Sequence, residues 1–198
     1  MFARSTLDSP GRRGWTLAAA SLARNRSVLD AFSYTGGFGL HAARGGARSV
    51  LAVDQSAPAL ELARGNARLN GLEGVEFVQD DVFDRLGALA AAGERFGLVV
   101  LDPPKFARAR HAVDDALRAY KRLQSLALRL LEPDGFLVTC CCSGLITASM
   151  LEGLLSEIAA QGRREVRLLG VRGAAPDHPV SVACLESAYL KCLVAHVR

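Results

Sequence analysis

Short apolar runs alternate with longer mixed segments along most of this chain. Five runs are apolar almost throughout: SVLDAFS (27 to 33), SVLAVD (49 to 54), VEFV (75 to 78), FGLVVLD (96 to 102) and GFLVTCCC (135 to 142). Segments between them, such as APALELARGNARLN (57 to 70) and AVDDALRAYKRLQSLALRLL (112 to 131), read as helices. Strands that are apolar on both faces and separated by helices imply a parallel sheet covered on both sides. The pattern therefore predicts a doubly wound α/β domain, Rossmann-like in its alternation. After a helix at about 145 to 160 come VRLLGVR (166 to 172) and SAYLKCLVAHV (187 to 197), two β-type runs with no helix between them. They predict a C-terminal antiparallel hairpin, for a mostly parallel sheet of seven strands.

In an open parallel sheet the ligand lies beyond the carboxyl ends of the strands. The first run ends in DAFSYTGGFG, Asp30 to Gly39. Its glycines allow close backbone approach, and a helix from about Phe38 to Arg44 offers its N-terminus. The second run ends in Asp54, whose carboxylate suits a ribose diol or, alternatively, a helix N-cap. The third is followed by QDDVF, where Asp81 could meet an adenine edge. Two cofactor classes satisfy this layout. Gly37, Gly39 and Ala42 fit G-x-G-x-x-[G/A], with Asp54 17 residues after Gly37, as in a dinucleotide site. S-adenosylmethionine presents the same ribose and adenine, with a charged methionine moiety in place of the pyrophosphate. The segment VLDPPKF (100 to 106) favours the second class. An enzyme that methylates a planar base needs a rigid acceptor at that strand end, and Pro103 and Pro104 stiffen the backbone that presents Asp102.

Composition narrows the picture further. The chain has 198 residues, 50% hydrophobic and 22% charged, enough for one sizeable core, so residues 1 to 198 read as one domain with residues 1 to 26 as an extension. There is no apolar stretch of membrane-spanning length and no secretory pattern at the N-terminus, which predicts a cytoplasmic protein. Five cysteines, three of them consecutive, form neither a disulfide framework nor a zinc motif, and no metal is expected. Net charge is only +4, yet residues 105 to 122 hold Lys105, Arg108, Arg110, Arg118, Lys121 and Arg122 against two aspartates. Residues 1 to 29 hold five arginines against Asp8. Such runs are commonly solvated helix faces. Beside an active site they suit a polyanionic substrate.

The segments FSYTGGFGLHAARGGA, VDQSAPALELARGNARLNGL, QDDVF, LVVLDPPKFA, AYKRLQSLAL, TCCCSG, PDHPV and ESAYLK together resemble the bacterial 23S ribosomal RNA cytosine-carbon-5 methyltransferase family, a class I S-adenosylmethionine-dependent group. Two features depart from it. The family's PUA-type RNA-binding domain and connecting domain are missing, and its Leu-Asp-Gln-Arg segment continues here as Leu7-Asp8-Ser9-Pro10. The resemblance implies that Asp30, Phe32, Tyr34, Thr35, Gly36, Gly37 and Phe38 line the methionine end of the cofactor. It implies that Asp54, Gln55 and Ser56 hold the ribose and that Asp81 and Val82 meet the adenine. Core packing is the alternative role for Phe32 and Phe38. Asp102 would face both the cofactor and the base, with Pro103, Pro104, Lys105, Phe106, Arg108 and Arg110 on the RNA side.

The resemblance also gives Cys142 a role. Strand alternation puts Cys140 and Cys142 on one face and Cys141 on the other, with Cys142 as the last strand residue before Ser143-Gly144. Cys140 and Cys141 read as packing. In family terms Cys142 attacks carbon 6 of cytosine, so that carbon 5 becomes nucleophilic enough to take the methyl group, while Asp102 offsets charge at ring nitrogen 3 of a flipped-out base. The implied partner is RNA, 23S ribosomal RNA in the family. Methylation of an exocyclic base amine, which needs no thiol, is an alternative, as is a non-catalytic cofactor- or RNA-binding role. His178 before proline reads as structural, and the sequence assigns nothing to His41 or His111.

Overall fold

The structure, a computed structural model, describes residues 13 to 198 apart from Asp177, and of Arg13 only the backbone. Leu7, Asp8, Arg4 and Arg12 lie outside the described residues. Seven strands form one sheet: β1 (Ser27–Ala31), β2 (Ser49–Asp54), β3 (Val75–Gln79), β4 (Phe96–Leu101), β5 (Leu131–Cys141), β6 (Val166–Arg172) and β7 (Lys191–Val197). Their order is β3-β2-β1-β4-β5-β7-β6, parallel from β3 to β5. β7 runs antiparallel between β5 and β6. The expected fold class and the C-terminal antiparallel pair are borne out.

Among the described residues, six α-helices cover the sheet: α1 (Arg13–Leu22), α2 (Gly37–Arg44), α3 (Ala57–Leu69), α4 (Val82–Ala91), α5 (Val113–Leu130) and α6 (Ala148–Gly162). Strand alternation sorts the core into two layers. Val28, Leu98, Val100, Val138 and Cys140 pack with Trp15, Ala19 and Ala23 near α1 and with Phe38 and Ala42 of α2. Leu29, Val99, Leu101 and Leu137 pack with Leu86 of α4, Leu123 and Ala127 of α5, and Leu155 and Ile158 of α6. Odd and even positions of a strand thus meet different helices, which is why β1, β4 and β5 read as unbroken apolar runs.

Among the boundaries that differ from the sequence reading, three bear on the site. β5 begins at Leu131 rather than 135, because Leu131, almost wholly buried, already pairs with Phe96 before the register shifts. It ends at Cys141, the partner of Lys191, so Cys142 is the first residue past the strand rather than its last. There the chain turns, with the Ser143 N–H donating to Cys141 Sγ at 3.4 Å. In the 187 to 197 run only Lys191–Val197 is strand, while Leu185–Ser187 forms a 3-10 turn closed by the Ser187 N–H on the Cys184 carbonyl.

The N-terminal segment is more than an extension. Trp15, Ala19 and Ala23 are spaced by four residues and form one buried stripe against α2 and the sheet. The Trp15 indole N–H donates to the Gly173 carbonyl at 2.7 Å, tying α1 to the loop after β6. α1 crosses α2 so closely that a Cβ at Gly45 would lie 2.5 Å from the Ala20 carbonyl oxygen. Backbone cannot yield as a flexible side chain can. Gly45→Ala is therefore expected to destabilise the fold by about 1–3 kcal/mol, the scale of overpacking, measured by denaturant unfolding; an unchanged midpoint would mean that α1 is not held in this position.

Candidate active site

The carboxyl ends of β1, β2 and β4 converge on a cleft of about 330 Å³, lined by Thr16, Phe32, Ser33, Tyr34, Thr35, Gly37, Phe38, Asp54, Gln55, Asp102, Pro103 and Pro104. That volume falls in the range of small-ligand pockets, roughly 300–1,000 Å³. Its floor is the β1–α2 loop. Phe32 and Tyr34 adopt the left-handed backbone region, at φ 63° and 49°, and Gly36 at 89° starts α2. Left-handed non-glycine residues store strain of order 1–3 kcal/mol and persist only where surrounding contacts fix them. Here the Gly36 N–H bonds to the Ser33 carbonyl at 2.8 Å, and the Ser33 N–H to the Val53 carbonyl at 3.0 Å.

Asp54 completes the fixation. Its Oδ2 accepts the Tyr34 N–H at 2.8 Å and its Oδ1 the Ser56 N–H at 2.9 Å, so one carboxylate joins the end of β2 to the β1 loop. Each oxygen keeps a lone pair for a further donor such as a ribose hydroxyl. The N-cap of α3 is Ser56, whose Oγ accepts from Ala59, so Asp54 is not a helix cap.

Asp30 lies beneath the cleft, 1% exposed, on the face of β1 toward α2. Its Oδ2 accepts the Gly39 N–H at 2.7 Å in the first turn of α2. Gly39 suits this close approach, since a Cβ there would lie 3.0 Å from that oxygen and 3.1 Å from Val50 Cγ1, and either neighbour would have to give by a few tenths of an ångström. Burial pushes the Asp30 pKa from 3.8 up to about 7; the Gly39 N–H opposes the shift, and Asp102 and Asp54 add to it. The arrangement discriminates between the two cofactor classes. A pyrophosphate binds helix N-terminal N–H groups, but here an internal carboxylate already occupies that position, with Asp54 and Asp102 close enough to raise its pKa. Such a site repels an anion and suits a cationic ligand. Asp30 Oδ1 and Ser33 Oγ are buried without a hydrogen-bond partner among the described residues, so polar capacity remains for a ligand.

The remaining assignments divide by position. Phe32, Tyr34, Thr35, Gly37, Phe38 and Gln55 line the cleft, Phe38 being also part of the core with α1. Gly36 and Ser56 act as caps beside it. Asp81 caps α4, its Oδ1 accepting the Phe83 and Asp84 N–H groups at 2.8 and 3.1 Å, and Val82 is buried in the core. Neither lines the cleft. Phe106 packs edge-on against Phe32 and Tyr120, at ring distances of 6.4 and 5.3 Å, which makes it a support for the DPP turn. Lys105, Arg108 and Arg110 are exposed on the segment that follows. Among the described residues there is no group of side chains arranged to hold a metal, and no helix is long and apolar enough to cross a membrane.

Two site features escaped the sequence reading. Thr16 lines the cleft from α1; the apolar stripe through Trp15 was the available signal for that helix. Lys191 reaches the turn after Cys142, donating to the carbonyls of Ser143 and, at 2.9 Å, Tyr189. That turn is otherwise held by Ser143 Oγ, which donates to the Ala107 carbonyl at 3.0 Å and accepts from Leu145. Cys140 and Cys141 are buried, whereas Cys142 is half-buried. His178 packs edge-on against Tyr189 at 5.4 Å, in keeping with a structural role.

A seven-stranded sheet ending in this antiparallel pair, with an acidic nucleoside-type cleft over β1, β2 and β4, defines a class I methyltransferase fold. The chain belongs to the S-adenosylmethionine-dependent methyltransferase family, whose model matches residues 6–185. It is 43% identical over 183 residues to the ribosomal RNA large subunit methyltransferase I of Aeromonas hydrophila, covering 91% of this chain and 46% of that protein. Its identity to the protein of the same name from Salmonella arizonae is 40% over 188 residues, covering 94% and 47%. The chain thus spans about half the length of the curated relatives it matches. The crystal structure of the methyltransferase SMU.776, complexed with S-adenosylhomocysteine, superposes with a TM-score of 0.82 at 25% identity, over 94% of this chain and 49% of that one.

Two outcomes are expected. Asp54→Ala should weaken S-adenosylhomocysteine binding by about 1–3 kcal/mol, because the Tyr34 and Ser56 N–H groups lose their acceptor; calorimetric titration measures it, and full affinity would remove Asp54 from the site. The second concerns Asp30, whose folded-state pKa near 7 lies above its ordinary 3.8. Between those values the folded protein holds a proton that the unfolded chain has released. The stability this group contributes is complete at acid pH below the unfolded value and is lost as pH rises through about 7. Asp30→Asn keeps an acceptor for Gly39 and should flatten the fall in melting temperature across that window; equal slopes in both proteins would assign the pH dependence to other groups.

Proposed function

We propose that this chain is the catalytic part of an enzyme that transfers a methyl group from S-adenosylmethionine to carbon 5 of a cytosine in large-subunit ribosomal RNA. The observation that carries this reading is the turn Cys142-Ser143-Gly144 at the end of β5, the strand beside the one that ends in Asp102-Pro103-Pro104. The similarity to proteins named ribosomal RNA large subunit methyltransferase I supports ribosomal RNA as the substrate. Lys105, Arg108, Arg110, Arg118, Lys121 and Arg122, beginning directly after the DPP turn, give a basic segment suited to RNA phosphates. We infer that recognition of the particular nucleotide draws on parts of the relatives that this chain does not match. The chain itself would act as a single catalytic domain.

When bound, the cofactor supplies an electrophilic methyl group and leaves as a neutral thioether. Asp54 holds the ribose, and the Phe32 to Phe38 loop encloses the methionine end. Asp81 and Val82, as residues at the start of α4, are assigned to the rim on the adenine side. Asp102, held by the two prolines and by its own N–H on the Ala31 carbonyl at 3.2 Å, acts in its protonated form, its O–H donating to ring nitrogen 3 and so offsetting the negative charge that develops there. The Cys142 thiolate adds to carbon 6, and the electron pair displaced from the carbon 5–carbon 6 double bond makes carbon 5 the nucleophile. After methylation, loss of the carbon 5 proton lets the carbon–sulfur bond break and restores both the double bond and the thiolate.

The test uses RNA carrying 5-fluorocytosine, which has no carbon 5 proton to lose. The cysteine–base bond should then persist as a denaturation-resistant protein–RNA complex on an electrophoretic gel. Cys142→Ala should abolish it, and Cys140→Ala and Cys141→Ala should leave it largely intact. Asp102→Asn should slow its appearance. Methylation of cytosine that continues undiminished in Cys142→Ala would overturn the nucleophile assignment and favour transfer to an exocyclic amine.

A further inference from the structure

Lys191 stands opposite Cys141 in the β5–β7 ladder, on the last pair before β5 ends. It is half-buried, and its ammonium donates to two backbone carbonyls, Ser143 and Tyr189, on either side of the gap between the two strands. Two of its three donors are thereby fixed. The Ser143 carbonyl belongs to the residue that follows Cys142, so the cation clamps the turn that presents the thiol. Burial draws the Lys191 pKa below that of an ordinary lysine, while the charges of Cys141 and Cys142 act in the opposite direction. Of the two thiols, Cys141 is 1% exposed and packed with Tyr120, Ile146 and Leu193, whereas Cys142 is half-buried.

We propose that Lys191 is a positioning residue for Cys142, its ammonium locking the Cys142-Ser143 turn and supplying the positive charge that holds the thiol as thiolate. The proposal rests on the nucleophile reading above. A cytosine nucleophile must be ionised near neutral pH, and an ordinary thiol, with a pKa of about 8.5, is mostly protonated there. Thiolate sites commonly draw on a nearby cation or a helix N-terminus. Here α6 starts only at Ala148, with its N-terminal N–H groups capped by Thr147, whose Oγ accepts from Met150 at 3.2 Å. Among the described residues, Lys191 hydrogen-bonds this turn directly, at the Ser143 carbonyl. Among the described residues, the titratable and charged groups packed about the turn include the thiols of Cys140 and Cys141 from β5, the Tyr120 phenol from α5, His178 against Tyr189 from the β6–β7 loop, and Arg108, next to the Ala107 carbonyl to which Ser143 Oγ donates. Burial holds the Tyr120 phenol neutral, with the neighbouring thiols adding to the effect.

The experiment is the pH dependence of Cys142 alkylation by iodoacetamide in the full chain without RNA, read at that residue by peptide mass spectrometry. Lys191→Gln removes the charge and keeps an N–H donor for the turn, and its alkylation midpoint should rise by about 1 pH unit or more. Lys191→Arg keeps the charge and should retain the wild-type midpoint within a few tenths. S-adenosylhomocysteine affinity serves as the control for folding and should be unchanged in both. A Gln variant with intact cofactor affinity and the wild-type midpoint would overturn the proposal, as would an Arg variant that behaves like Gln. If Lys191→Gln fails to fold, the Arg variant decides by the same criterion. The alkylation midpoint does not depend on methyl transfer, so a failure of the cytosine reading, seen in Cys142→Ala, is distinguishable from a failure of this one.

Discussion

The contact between the Asp30 carboxylate and the Gly39 N–H organises the cofactor half of the molecule. A carboxylate buried this deeply would be costly without compensation. The first turn of α2 compensates it with one short hydrogen bond and the positive end of the helix dipole. Several sequence requirements follow from that contact. Glycine at residue 39 lets the acceptor and Val50 sit this close, since a Cβ would press on both. Gly36 must open the helix from the left-handed region, so the preceding residues bend tightly enough to put Phe32 and Tyr34 there as well. The ligand that enters must tolerate three carboxylates, Asp30, Asp54 and Asp102, within electrostatic reach of one another. One internal hydrogen bond thus turns a loop that resembles a dinucleotide motif into a site for a cation.

That is also where motif reading alone reached its limit. Gly37, Gly39 and Ala42 match the dinucleotide spacing, and nothing in their identities says which anion sits over α2. Asp30 was visible in the sequence, but its direction was not; whether it points into the cleft or under the helix depends on which face of β1 packs against α2. The strands themselves were legible because each is buried on both sides, so even imperfect boundaries found the right strand ends. The positions of Asp54, Asp102 and Cys142 at or just past strand ends were legible for that reason. The boundary errors have local causes: Cys142 leaves the ladder because Ser143 turns back onto Cys141, and β5 starts early because Leu131 reaches the first residue of β4.

What the sequence concealed is carried by long-range contacts. Thr16 and Lys191 are separated by almost the whole chain, yet Thr16 forms a wall of the cleft over β1, β2 and β4, and Lys191 holds the turn that follows Cys142. α1 is anchored to the loop after β6 through Trp15 and Gly173, and β7 is anchored to the β5 turn through Lys191 and Ser143. Neither link has a local sequence signature, because each joins a side chain to a distant backbone carbonyl.

The electrostatics of the two halves are opposite, and the fold explains how they coexist. At the ends of β1, β2 and β4 the charge is negative and its cost is met by backbone N–H groups and, when bound, by a cationic ligand. At the end of β5 and the start of β7 the Lys191 ammonium is held by backbone carbonyls. The Asp102-Pro103-Pro104 turn lies between them, on the strand shared by both neighbours. The sheet thus carries opposite charge at two neighbouring places along its carboxyl-end edge. A parallel sheet flanked by an antiparallel strand supplies both, because β7 enters the active end from the opposite direction and brings Lys191 as its first residue, where a parallel strand would bring its last.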